Sequence, residues 1–178
     1  MEQDIKRIKR ERMYQGTVVD IYRDYMQFSN GNTEEWDYIH HRGAAAVLPV
    51  MDDGRLIMVR QYRNALEKYI LELPAGALDY PEEPGIVFAA REMEEETGYR
   101  SEDLEWLLTI RTTVALSNEK IDIYVARNLI STRQHLDPNE FVEVETYTLD
   151  ELKQMIFSGE IEDGKTIAAI MTYAEKYQ

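Results

Sequence analysis

One stretch limits the fold more than any other: Arg91-Glu92-Met93-Glu94-Glu95-Glu96-Thr97-Gly98, preceded by Pro84. Pro suits the first turn of a helix, where its missing N–H is not needed, and Gly stops a helix by entering the left-handed region. The residues between are rich in Ala, Met, Glu and Phe, which favour or tolerate helix, so the spacing predicts one helix at about 84–97. On it Glu92 and Glu96 are i,i+4 neighbours and Glu92 and Glu95 are i,i+3, which crowds three carboxylates toward one face. They repel one another and occupy the last turns, where the backbone dipole favours cations. No Lys lies in the segment, and Arg91 can pair with only one or two of them. Two explanations follow: a solvated acidic face, or a site for a hard divalent cation with oxygen ligands, Mg2+ or Mn2+.

Composition narrows the partners. The 178 residues carry 20 Lys and Arg against 34 Asp and Glu, a net charge of −14 with His neutral. Such a chain has no global basic surface for extended nucleic acid, and an anionic membrane would repel it. Zero cysteines exclude a disulfide scaffold and thiolate-bound metal. No apolar run approaches a membrane span, and Met1-Glu2-Gln3-Asp4 does not open a secretory signal, so the expected location is the cytoplasm. The length suits one ordinary domain with a small appendage.

Along the chain, residues 17–28 alternate like a strand, Ser29-Asn30-Gly31-Asn32 supplies a turn, and a second strand runs to Ile39. Residues 1–41 are thus expected to form a small sheet of their own, with 42–178 as the main domain. Ala44–Val50 and Leu56–Tyr62 flank Asp52-Asp53-Gly54 and are expected to pair as a hairpin. A short run from Tyr69 to Leu73 leads into Pro74-Ala75-Gly76, expected as loop. Further strands are expected at 104–112, 119–127 and 140–147. Thr148-Leu149-Asp150-Glu151 forms a capping box opening a helix that Gly159 closes, and a last helix starts near Asp163 or Gly164. Strands outnumber helices and neighbour one another, so the fold class is α+β with a mixed sheet.

The acidic helix and its upstream context resemble the Nudix hydrolase signature. Glu83, seven residues, Arg91-Glu92, Met93, Glu94, Glu95-Glu96, Thr97 and Gly98 match that pattern in order. The departure lies before Glu83, which six residues separate from Gly76 where the pattern has five; a one-residue insertion in a loop is cheap. The resemblance implies a Nudix fold, a mixed β-sheet sandwiched between helices, here with a small N-terminal antiparallel β-sheet. It makes Glu92, Glu95 and Glu96 metal ligands for Mg2+ (or Mn2+), joined by the carbonyl of Ala75, with Glu95 counted also among the catalytic groups. Gly76, Glu83, Arg91 and Gly98 would hold the loop and helix together.

Val59-Arg60-Gln61-Tyr62-Arg63, Glu72-Leu73-Pro74-Ala75-Gly76, Leu116-Ser117-Asn118-Glu119 and Asn139-Glu140-Phe141-Val142-Glu143-Val144 resemble the ADP-ribose pyrophosphatase branch of that family. The branch implies hydrolysis of ADP-ribose to AMP and ribose 5-phosphate, in a homodimer joined through the N-terminal sheet. Arg grips pyrophosphate through two donors at once, which makes Arg63, and after it Arg60, candidates for substrate contact, against the alternative of plain surface arginines. Glu140, in a turn-prone stretch before an apolar strand, is the candidate general base, with Glu143 as its substitute. Glu119 is a further candidate near metal or substrate. Trp36 is a candidate to stack on adenine, ahead of Tyr22 and Tyr25, with packing against the protein as its alternative. His40, His41 and His135 lack ligand spacing. Relatives commonly have Pro where this chain has Val114-Ala115-Leu116, which leaves open another nucleoside diphosphate sugar, a dinucleotide or an NTP. A Nudix domain that senses nucleotide without cleaving it, and a plain acidic interaction domain, are the alternatives from other classes.

Overall fold

The computed structural model describes residues 4–78 and 83–177. Strands β1 (Ile5–Gln15), β2 (Asp20–Phe28) and β3 (Thr33–His40) form an antiparallel sheet in the order β1-β2-β3. Gly31, at φ 87°, makes the β2–β3 turn, its N–H bonded to the Phe28 carbonyl at 2.9 Å. The β1 stretch had no strand assigned from sequence, because its apolar residues do not alternate. It is held by pairing with β2 and by Arg10, whose two nitrogens each meet Asp24 at 2.6 Å.

The rest builds on β4 (Ala44–Pro49), which is buried on both faces. Its sheet runs β7-β4-β10-β9, with β7 (Ala75–Ala77), β9 (Asp103–Arg111) and β10 (Lys120–Arg127); β4 and β10 are parallel and the other pairs antiparallel. A second, antiparallel sheet runs β12-β5-β6, from β5 (Leu56–Arg63), β6 (Lys68–Glu72) and β12 (Val142–Tyr147). A short ribbon joins β8 (Tyr99–Arg100) to β11 (Ile130–Ser131). Ala45 and Val47 pack with Phe88, Ala89 and Met93 of helix α1 (Gly85–Thr97). Ala46 and Leu48 point the other way, into a core shared with β5, helix α2 (Leu149–Ser158) and helix α3 (Gly164–Tyr177). The mixed sheet therefore has helices on both faces, as the resemblance implied.

Two local expectations are corrected. Ala44–Val50 and Leu56–Tyr62 are not a hairpin: apart from a single bridge between Val50 and Leu56, β4 and β5 belong to different sheets. Both edges of β4 are already taken, by β7 and β10, so Asp52-Asp53-Gly54 carries the chain from one sheet to the next. Ala75 and Gly76 are strand rather than loop. Pro74 precedes the pairing, so its missing donor costs nothing, and its carbonyl accepts from Val47 N–H at 3.0 Å.

Helix α1 ends as its punctuation predicts, with Gly98 at φ 70° and its N–H on the Glu94 carbonyl at 2.9 Å. Pro84 stands at the N-cap, one residue ahead of the first turn. Burying Phe88 and Met93 contributes about 1.5–3 kcal/mol each, more than the few tenths lost per like-charged pair on the surface of a helix. The α2 capping box forms, with both Thr148–Glu151 bonds present.

Candidate functional site

The last two turns of α1 face β7. At Gly76 a Cβ would lie 2.5 Å from the Glu92 carboxylate and 3.0 Å from the Phe88 ring, so any side chain there would push the Glu92 carboxylate from its place. Next to it, Glu96 is only 3% exposed and accepts from Ala75 N–H at 3.1 Å. Burial pushes its carboxyl up to about 8, and repulsion from Glu92 and then Glu140 adds to that. Arg91 lies across the outer side of the cluster, 3.3 Å from Glu92, 3.4 Å from Glu95 and 3.6 Å from Glu83, with its guanidinium 4.8 Å from the centre of the Phe88 ring. Glu83 and Arg91 thereby tie the loop to the helix. Glu95 is turned toward Arg91, and among the described residues no three acidic or histidine groups converge at metal-holding distance. Arg91 reaches Glu92 and Glu95 alike, and Glu92 also lies close enough to Glu96 for its charge to raise that carboxyl.

Glu140 sits in the loop before β12. Its carboxylate accepts from Gln61 Nε2 and from Asp137 N–H, both at 3.4 Å, and its charge reaches Glu96. It lines a cavity of about 520 Å³ with Gln61, Tyr62, Tyr69, Asp137, Asn139 and Phe141. Glu143 is exposed on β12 opposite Arg60. Arg60 itself is held by Glu145, Nε to Oε1 at 2.5 Å. Arg63 donates from Nε to Glu72 at 2.6 Å. Burial opposes the Arg63 charge, but Glu72, with Glu96 and Asp163 beyond it, outweighs that and keeps the guanidinium protonated.

Glu72 is 1% exposed and also receives Lys165, which donates to Asp163 at 2.9 Å. Thr166, beside them, accepts from Leu73 N–H at 3.0 Å, so the start of α3 is locked to the end of β6. Neither Glu72 nor Gln61 was marked as functional from sequence. A buried carboxylate flanked by apolar residues gives no local sign that its partners lie on another strand and on the last helix.

The N-terminal sheet docks through Ile39, whose N–H meets the Leu116 carbonyl at 2.7 Å. Trp36 is 42% exposed, donates to Glu34 at 3.2 Å, and lines a hollow of about 380 Å³ with Glu35, Asp37, Ala115 and Leu116. Glu119 is engaged by Thr112 and by His41, Nε2 to Oε1 at 3.6 Å, at this junction. Tyr22 lies beneath Arg10 and beside Tyr38, while Tyr25 donates to Glu11 at 3.1 Å. His135 meets the site through its backbone, donating N–H to the Glu95 carbonyl at 2.9 Å.

Comparison with known proteins places this geometry. The family model described as NUDIX domain matches residues 40–170. The chain is 41% identical over 167 residues to the methanol dehydrogenase activator of Bacillus methanolicus, covering 93% of this chain and 90% of that one. It is 38% identical over the same coverage of both chains to the ADP-ribose pyrophosphatase of Bacillus subtilis (strain 168). Among solved structures, one titled as the crystal structure of ADP compounds hydrolase superposes with a TM-score of 0.84 at 22% identity, over 98% of this chain and 94% of that one. At that identity the structure speaks for the fold.

Proposed function

This chain belongs to the Nudix family, and from that premise we propose that it hydrolyses the pyrophosphate of ADP-ribose, or of a closely similar ADP-linked compound, giving AMP and ribose 5-phosphate from the former. One observation carries the chemistry: Glu96 is a carboxylate buried among Glu92, Glu140 and Glu72, a set of hard oxygens whose mutual repulsion a divalent cation relieves. The substrate class rests on the Bacillus subtilis pyrophosphatase, which this chain matches over nine-tenths of both lengths.

Nudix hydrolases use a divalent metal, and here we propose Mg2+, with Mn2+ as its substitute. Glu92, Glu95 and Glu96, with the Ala75 carbonyl, would hold it, and when bound it supplies the positive charge that offsets the charge building on the pyrophosphate oxygens. Glu140 takes the proton of the attacking water; its two present bonds are long, so leaving them costs little. Glu143 is the substitute. Arg63, oriented by Glu72 and Lys165, faces the substrate phosphates, with Arg60 and Glu119 further out. Trp36 stacks on the adenine.

Residues 1–41 act as the dimerisation region and 42–178 as the Nudix domain. Ile5, Ile8, Met13 and Tyr14 of β1 are exposed, which supports a second copy covering that sheet. No helix among the described residues is long and apolar enough to cross a membrane, and a cytoplasmic location fits.

The activator named at 41% identity motivates a second reading, in which the chain acts through a partner enzyme. Incubating the pure protein with ADP-ribose and Mg2+ and identifying the products decides between them. Release of AMP without any other protein supports hydrolysis, and an absence of turnover across ADP-ribose, sugar nucleotides, dinucleotides and dNTPs overturns it.

A further inference from the structure

The last carbonyls of a helix have no partner inside it. In α1 two of them are capped by the segment 132–135: Glu95 accepts from His135 N–H at 2.9 Å, and Glu96 from the side-chain Nε2 of Gln134 at 2.7 Å. Thr132 N–H meets the Gly98 carbonyl at 2.7 Å, and a Cβ on Gly98 would lie 2.9 Å from the Gln134 nitrogen, so the segment lies tightly over the helix end. The same Nε2 of Gln134 also donates to the Val142 carbonyl at 3.1 Å. Val142 opens β12 and closes the span 136–141 that carries Glu140.

We propose that Gln134 is a positioning residue: its amide clamps the root of the Glu140 loop to the last turn of α1 and so sets where Glu140 stands relative to Glu96. This rests on the function proposed above, in which Glu140 takes the proton. The chemistry of the position is specific. Both acceptors are carbonyls, so the bridge needs two N–H donors on one atom at the reach of a Gln side chain. Met fills the same length and donates nothing. Within the span, Glu140 N–H bonds to the Asp137 carbonyl at 2.9 Å, while among the described residues the Glu140 carboxylate has two contacts at 3.4 Å, too long to place it unaided. The amide is neutral, so it ties the Glu96 carbonyl to the Val142 carbonyl without adding charge beside the two carboxylates.

The test compares Q134M, E140Q and the double variant of the full chain, assayed with ADP-ribose and Mg2+, beside hydrogen exchange on the metal-free protein. Q134M is expected to lower kcat about 10- to 100-fold, the scale on which small misplacements act, with KM changed less than about twofold. Exchange should quicken at His135 and through 136–141 while the buried first half of α1 keeps its protection. In the E140Q background Q134M should lower kcat no further, because the two act as one unit. An equal loss of kcat in both backgrounds, or unchanged exchange through 136–141, overturns the clamp. E140Q with unchanged kcat sinks the Glu140 base instead, and the exchange measurement then decides the clamp alone.

Discussion

Glu96 accepts a hydrogen bond at 3.1 Å from the backbone N–H of Ala75, 21 residues earlier in the chain. That bond favours the charged carboxylate, but burial and the neighbouring Glu92 and Glu140 outweigh it. The group is therefore poised to take a proton or a cation, and its replacement separates fold from function.

Glu96→Gln keeps the shape and the Ala75 bond while removing the charge. Metal-dependent turnover should fall on the order of 10³-fold, a loss typical of a lost electrostatic group, with melting temperature equal to or above the parent's. Assays over a Mg2+ titration check this; parental activity would refute the ligand role.

The same group predicts a pH dependence. An unfolded-chain Glu titrates near 4.5 and the folded Glu96 near about 8, so between those values the folded chain holds a proton the unfolded one lacks. Its contribution is fully present below the lower value and is lost as pH rises through the higher. Without metal, the melting temperature should fall from about pH 5 to about pH 8, and Mg2+ should raise it most at the alkaline end. Calorimetry on the parent and Glu96→Gln checks this, because the slope from this group must disappear in the variant.

Gly76→Ala puts a methyl 2.5 Å from the Glu92 carboxylate, which must move. The Phe88 ring stands 3.0 Å from the same position, so the Glu92 carboxylate, the end of a flexible side chain, is the group that gives way. Activity is expected to drop about 10- to 100-fold, with weakened Mg2+ dependence. Retention of the parental Mg2+ titration curve would place Glu92 outside the metal set.

Glu72→Ala leaves Arg63 and Lys165 without their shared buried partner. The cost should be about 1–3 kcal/mol, the range for leaving a hydrogen-bonding group without its partner, since Arg63 is part-exposed and Lys165 keeps Asp163, read from urea unfolding. Glu72→Gln keeps the volume and should recover part of it.

Removing residues 1–41 should convert a dimer into a monomer in sedimentation velocity. A monomeric parent would end the dimer proposal.

What was legible in the chain follows from how local each signal is. The α1 helix announced itself because Pro84 and Gly98 act on their own backbone, and the α2 box because Thr148 and Glu151 bond each other. The sheet partners of β4 stayed hidden, since a strand apolar on both faces does not state which edges are free. For the same reason Ala75 and Gly76 looked like loop until β4 supplied the pairing. The acidic cluster was legible as residue types and in part as geometry: the i,i+4 spacing allows the Arg91–Glu95 pair, but the burial of Glu96 against Ala75 depends on β7 and spacing along the helix does not encode it. Gln134 gave no signal, being one amide in a polar stretch whose acceptors are backbone carbonyls.

The lock between Leu73 and Thr166 spans 93 residues and closes near the end of the chain. During synthesis the start of α3 must therefore be made before Glu72 can meet Lys165, whereas Arg63, nine residues from Glu72, can meet it much earlier. Without α3, Glu72 would keep Arg63 across the β5–β6 pair but lack Lys165, so the charge balance at this strand end is completed by a helix that begins more than ninety residues later.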